Sequence, residues 1–142
     1  MRLALRILGA LLALAVLFVA AIFGASEFGG EVVHLHTTDA HGAEHTTHLW
    51  VVDDAGYAWL RAGHGDTGWL QRIEANPDVV VERRGETLHF RAVPVHDPAV
   101  RDRIHALMRR DYPLADRFIS VIRDPDGSVP VRLEPLATAP AG

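Results

Sequence analysis

The chain has 142 residues, 49% of them hydrophobic, which is room for one packed domain. Its net charge of −4 excludes a generic nucleic-acid binder, which would be basic overall. Without any cysteine it has no disulfide framework, no thiolate nucleophile and no cysteine metal site, and every basic residue is Arg, whose planar fork suits phosphates and carboxylates.

In chain order, the first feature is the run from Ile7 to Ala25, which holds no charged or strongly polar residue. As a helix it is roughly 28 Å long, close to the hydrocarbon thickness of a bilayer. Residues 1–26 are therefore expected to form a single-pass membrane anchor with the lipid bilayer as partner. Arg2 and Arg6 precede the run, whereas Glu27 and Glu31 follow it. The positive-inside rule then leaves the N-terminus in the cytoplasm and the remainder outside. The rival is a cleaved signal peptide, for which Gly24-Ala25-Ser26 offers a small-x-small site. Residues 27–31 read as a linker.

Alternating hydrophobicity predicts strands over Val32–Thr38, His45–Val52 and Tyr57–Ala62, with turn chemistry around Gly42 and over Asp53-Asp54-Ala55-Gly56. Gly63-His64-Gly65-Asp66 breaks the pattern. Thr67 can cap a short helix in which Trp69, Leu70 and Ile73 share a face, and Asn76-Pro77 stops it. A hairpin is expected from Asp78–Arg83 and Thr87–Val95 around Gly85. Asp97 and Pro98 open a helix whose Val100, Ile104, Leu107 and Met108 form one buried stripe. Leu114, Phe118, Val121 and Ile122 repeat that spacing, Asp124-Pro125-Asp126-Gly127 ends the segment, and Val129–Leu133 reads as the last strand. Consecutive short strands interrupted by helices predict a mainly β, α+β domain over 32–136, closed as a small antiparallel barrel. Residues 137–142 read as a disordered tail.

Chemistry concentrates between Trp59 and Trp69, where a strand end, a glycine-bearing loop and a helix start follow one another. Free amides at a helix start favour anions, and glycines allow close approach of a phosphate. Arg61 and His64 can add charge, and Trp69 can pack against a flat ligand; equally, the glycines can serve the turn alone and Trp69 the core. Nine histidines invite a metal reading. His34 and His36 face the same side of their strand, and a symmetric hairpin adds His45, giving three imidazoles for zinc, copper, iron or haem. A one-residue slip would turn His45 away. No G-x-S-x-G elbow or paired carboxylates stand out. Arg83-Arg84 with Arg91 reads as a basic patch or a solvated sheet face.

The run from Val33 to Pro135 resembles the deazaflavin-dependent nitroreductase and quinone reductase family, within the split-barrel group that includes flavin-binding pyridoxamine-phosphate-oxidase-like proteins. Thr46–Val52 is similar to that family's second strand. Trp69, Ala75, Asn76 and Pro77 match its W-x-x-N-L-x-A-N-P stretch, and Val79–Val95 its following hairpin. The resemblance implies a six-stranded split barrel, often a homodimer, holding a deazaflavin coenzyme, or alternatively flavin mononucleotide. It implies reduction of a quinone-like or nitro acceptor, with Trp50, Arg61, Ala62, Gly63, His64 and Trp69 lining the cofactor site. A membrane tether fits a lipid-soluble quinone. Two positions depart: the family's G-R-x-[ST]-G loop reads Asp39-Ala40-His41-Gly42-Ala43, and its Asn after the tryptophan is Arg72. Beside the reductase stands a non-catalytic barrel that binds a ligand or partner.

Overall fold

An apolar helix, α1, runs from Arg2 to Phe28, and its Arg2–Ala20 span is long and apolar enough to cross a membrane, with none of it buried. That make-up belongs to a membrane anchor or to a signal sequence. The structure, a computed structural model, describes residues 1–28, 31–120 and 125–137, without the side chains of 21–28, 118 and 119. The linker positions 29–30, the Phe118, Val121 and Ile122 side chains, Asp124 and the tail over 138–142 lie outside the described residues.

Then follow β1 (Glu31–Thr38), β2 (Glu44–Asp54), β3 (Tyr57–Ala62), α2 (Gly68–Ala75), β4 (Asp78–Arg83) and β5 (Glu86–Pro94). Two helices, α3 (Pro98–Asp111) and α4 (Pro113–Ile119), precede the last strand, β6 (Val129–Pro135). The six strands pair antiparallel and close in the order β1-β2-β3-β6-β5-β4, the expected barrel. Alternation decides what fills it: Val33 and Leu35, Leu60 and Ala62, Val79 and Val81, and Val131 and Leu133 point inward. α2 closes one end by adding Trp69, Leu70 and Ile73 to that core, as its spacing predicts.

The long outer helix α3 covers part of the barrel wall. Val52 and Trp59, on the outer faces of β2 and β3, pack against Ile104, Met108 and Tyr112. Asp97 caps α3 by accepting hydrogen bonds from the Ala99 and Val100 amides at 2.8 and 3.4 Å. At the other end of the helix, the Tyr112 hydroxyl accepts from the Glu31 amide at 2.9 Å and donates to the Val51 carbonyl at 2.6 Å. Burial pushes the Tyr112 phenol above its ordinary pKa, so it stays protonated and able to donate. The Arg83 guanidinium grips both carboxylate oxygens of Glu31 (2.9 and 2.8 Å) and both of Asp53 (2.9 and 2.7 Å). The first residue of the barrel after α1 is thus clasped from two sides.

The strands run past their predicted limits at several ends. β2 continues to Asp54 because its turn holds only Ala55 and Gly56, both at positive φ (51° and 84°), the geometry of a tight hairpin. Arg84 and Gly85 repeat that turn between β4 and β5. Pairing with Arg83 and Arg103 lets the acidic pair Asp53-Asp54 stay in the strand. The second helical stripe is corrected at its described member: Leu114 is 60% exposed, and α4 instead turns Asp116 inward.

Candidate functional site

A cleft of about 360 Å³ opens at the barrel end where β5 and β3 finish and β6 begins. Its walls are Val95, His96, Asp97 and Pro98 before and at the start of α3, Arg101 one turn on, Asp126 in the loop before β6, and Ser128 and Val129 at the head of β6. Gly65, from the loop between β3 and α2, faces Gly127 across it. A Cβ built on Gly65 would meet nothing nearer than the Gly127 carbonyl at 3.9 Å, so the two glycines leave a flat space. The Arg101 guanidinium donates to the Asp126 carbonyl at 2.9 Å and so joins two walls, and its charge is met by the Asp102 carboxylate at 3.2 Å and the Asp126 carboxylate at 3.8 Å. The amides at the start of α3 are already taken by Asp97.

Behind the cleft runs a buried polar chain. The Ser128 hydroxyl lies 2.7 Å from His105 Nε2, His105 Nδ1 lies 3.0 Å from Arg61 Nη1, and Arg61 Nη2 donates to Asp116 Oδ1 at 2.9 Å. A guanidinium can only donate, so Nδ1 of His105 accepts and the ring proton sits on Nε2. Ser128 therefore accepts from the imidazole and donates to the Pro125 carbonyl at 3.0 Å. The arrangement is the reverse of an activated serine, in which the imidazole must take the hydroxyl proton. With side chains only 6% exposed, the Arg61–Asp116 pair ties β3 to α4.

The expected site residues divide among several environments. Ala62 and Trp69 are inside the barrel core. Arg61 lies beneath α3 and α4 in the network just described. Trp50, on the outer face of β2, stacks on Tyr112 at 5.2 Å between ring centroids, towards the end of α3 away from the cleft. Gly63 and His64 lie in the loop that supplies Gly65, with His64 exposed. Thr67 stands at the head of α2, but its hydroxyl donates to the His64 carbonyl at 2.7 Å and gives the helix no side-chain cap. Arg72 leans back over that helix start, within 3.3 Å of a Cβ built on Gly68, and donates to Thr37 at 2.8 Å. One guanidinium, that of Arg72, thus stands where sequence alone placed an anion. The cleft residues Val95, His96, Arg101 and Ser128 come from three segments that carry no shared motif; Asp97-Pro98 was legible only as a helix start.

The three-histidine grouping does not form. Register pairs His36 with Thr46 and His34 with His48, so His45 pairs with Thr37 and leaves the face of the other two. His48 takes its place and stacks on His34 at 4.3 Å. Among the described residues no three His, Cys, Asp or Glu side chains gather to hold a metal. His45 bonds Asp39 at 2.8 Å, and Asp39 also accepts from the His41 and Ala43 amides. The His45 hydrogen bond first, then those amides, lower the Asp39 carboxyl to about 2. The acid in the turn thus closes its own loop.

The family model for F420H(2)-dependent quinone reductases matches residues 19–134. Among solved structures, a conserved hypothetical protein of Mycobacterium tuberculosis superposes with a TM-score of 0.61 at 17% identity, over 77% of this chain and 76% of that one. The haem storage protein HutZ of Vibrio cholerae does so at 0.60 and 17%, over 84% and 90%. An F420-H2 dependent reductase reaches 0.56 at 22% identity, over 72% of this chain and 93% of its own. Identities this low show the shared fold alone. No curated protein matches the chain.

Proposed function

The chain belongs to the F420H(2)-dependent quinone reductase family, and from that premise we propose that it is a membrane-anchored reductase of a quinone-like or nitro acceptor, its deazaflavin seated in the glycine-floored cleft. The family implies the deazaflavin coenzyme. The observation that carries the reading is the match over residues 19–134, which spans all but the last residue of the barrel.

The residues of the cleft fit such a group. Gly65 and Gly127 leave space for a flat ring, and Val95 and Pro98 offer it apolar walls. Asp97 and Asp126 also line the cleft and Arg101 is paired with Asp102 and Asp126, so the cleft suits the ring and not the phosphate. The volume is at the lower end of small-molecule sites. Gly63, His64 and the α2 start, with Arg72 above it, would take the phosphate-bearing part. Arg61, Ala62 and Trp69 act from behind, holding that loop in place. When bound, the deazaflavin supplies hydride to the acceptor. This chain's own part is to orient both partners and exclude water; His105, its proton fixed on Nε2, serves to place Ser128.

The test uses the full chain in detergent with reduced deazaflavin. Absorbance at the cofactor band should report binding and its oxidation on adding a short-chain quinone. Gly65→Leu, whose Cβ meets only the Gly127 carbonyl at 3.9 Å and whose side chain would fill the cleft, should abolish both while leaving the thermal transition unchanged. Absence of binding by the unmodified chain at micromolar cofactor would remove the reductase reading. The non-catalytic alternative would then show as a stable complex without turnover.

A further inference from the structure

Among the described residues outside α1, the large hydrophobic side chains left exposed are Val32 (46%), Tyr57 (38%) and Leu114 (60%). They come from β1, the start of β3 and the start of α4, yet all three lie at one end of the barrel. Val32 follows Glu31, Tyr57 closes the β2–β3 turn, and Leu114 is two residues beyond Tyr112, whose hydroxyl reaches Glu31. This is the end from which α1 departs. Phe28 and Glu31 are three residue steps apart, at most roughly 11 Å of chain. We infer that this end of the barrel is a lipid-docking surface, which lies on the interface of the same bilayer that α1 crosses.

The inference rests on the anchor reading of α1. Continuity of the chain names the occupant: a bilayer that holds α1 must come within reach of the barrel end that begins at Glu31. The β2–β3 hairpin reaches further still, since Asp54 and Tyr57 pair three residues beyond the Glu31–Val51 pair. The charge there suits a headgroup layer. Three acids at this end are held by arginines, Asp53 by Arg83 at 2.7 Å, Asp54 by Arg103 at 2.8 Å and Asp111 by Arg110 at 2.7 Å. Tyr57 has the amphipathic ring that settles at such interfaces, and the Arg132 guanidinium stands 5.3 Å from its centre.

The native chain has no cysteine, so one introduced cysteine is a unique label site. Full-length Tyr57→Cys, Leu114→Cys, His41→Cys and Leu12→Cys variants, each carrying a fluorophore, are reconstituted into phosphatidylcholine vesicles with a nitroxide-headgroup lipid. A second lipid with its nitroxide in the acyl chain reports on α1. The headgroup nitroxide should cause loss of fluorescence at positions 57 and 114 and no loss at 41, which lies at the opposite end. Loss at 12 from the acyl-chain nitroxide, with 57 and 114 no more quenched than 41, would keep the anchor and overturn the docking surface. Absence of quenching at 12 would remove the anchor and the inference with it. Self-quenching at 57 and 114 that vanishes on dilution with unlabelled chain, without lipid quenching, would assign the surface to a second copy and overturn the inference.

Discussion

Arg83 is the side chain whose loss should be felt most plainly near the start of the barrel. Hydrogen bonds from Arg83 are the first cause lowering both Glu31 and Asp53 below their ordinary carboxyl values. Depressed carboxyls stabilise the fold above their unfolded pKa values and lose that contribution as pH falls through the folded ones. Arg83→Gln should therefore lower stability at neutral pH by about 2 kcal/mol, for the charge-assisted bonds removed. It should also flatten the fall in stability between about pH 5 and pH 3, as urea midpoints of the full chain in detergent will show. In the second network, Arg61→Met should cost about 2 kcal/mol, for the buried charge-assisted bond to Asp116 and the bond to His105 that it removes. Arg61→Met with Asp116→Leu should recover most of that loss; a double variant no better than the single would show that the pair does not act as a unit. None of this was legible from sequence. Arg61 and His105 are 44 positions apart, and an arginine at a strand end reads as solvated until a helix is laid over it.

At the level of elements, turns and helix starts were legible because their chemistry is local. Ala55-Gly56 and Arg84-Gly85 lie in tight turns that demand positive φ at both residues, which the glycines meet freely and the alanine does not. Ala55→Asn should raise the urea midpoint, by about 0.5 kcal/mol in stability, since asparagine tolerates the left-handed region better; a lower midpoint would show that this turn is strained for another reason. Facing of the histidines was not legible. A strand's alternation fixes which residues share a face within it, but the partner's register depends on the number of residues in the turn. Here the turn leaves Thr38 opposite Glu44, and that choice exchanges His45 for His48. The Leu114 spacing misled for a related reason: helical periodicity marks an apolar face without saying what covers it.

Across the whole molecule, the anchor-like helix, the strand order and the family could be read from apolar length, alternation and the Trp69–Pro77 stretch, whereas the cleft could not. Its walls meet only because β3, β5 and β6 finish or start at one end of a closed barrel. That end is separated from the Tyr112–Glu31 clasp by the length of α3, 14 residues or roughly 21 Å. With the clasped end beside the bilayer, water-soluble short-tailed quinones should be turned over faster than long-tailed ones of equal ring potential. Equal rates in vesicles would place hydride transfer elsewhere on the barrel. With the deazaflavin in the cleft and the clasped end on the bilayer, as proposed, the spacing of a single rigid rod would sort acceptors by solubility: compounds dissolved among acyl chains would have to climb out before they could be reduced, so oil–water partition would govern throughput more than ring substituents.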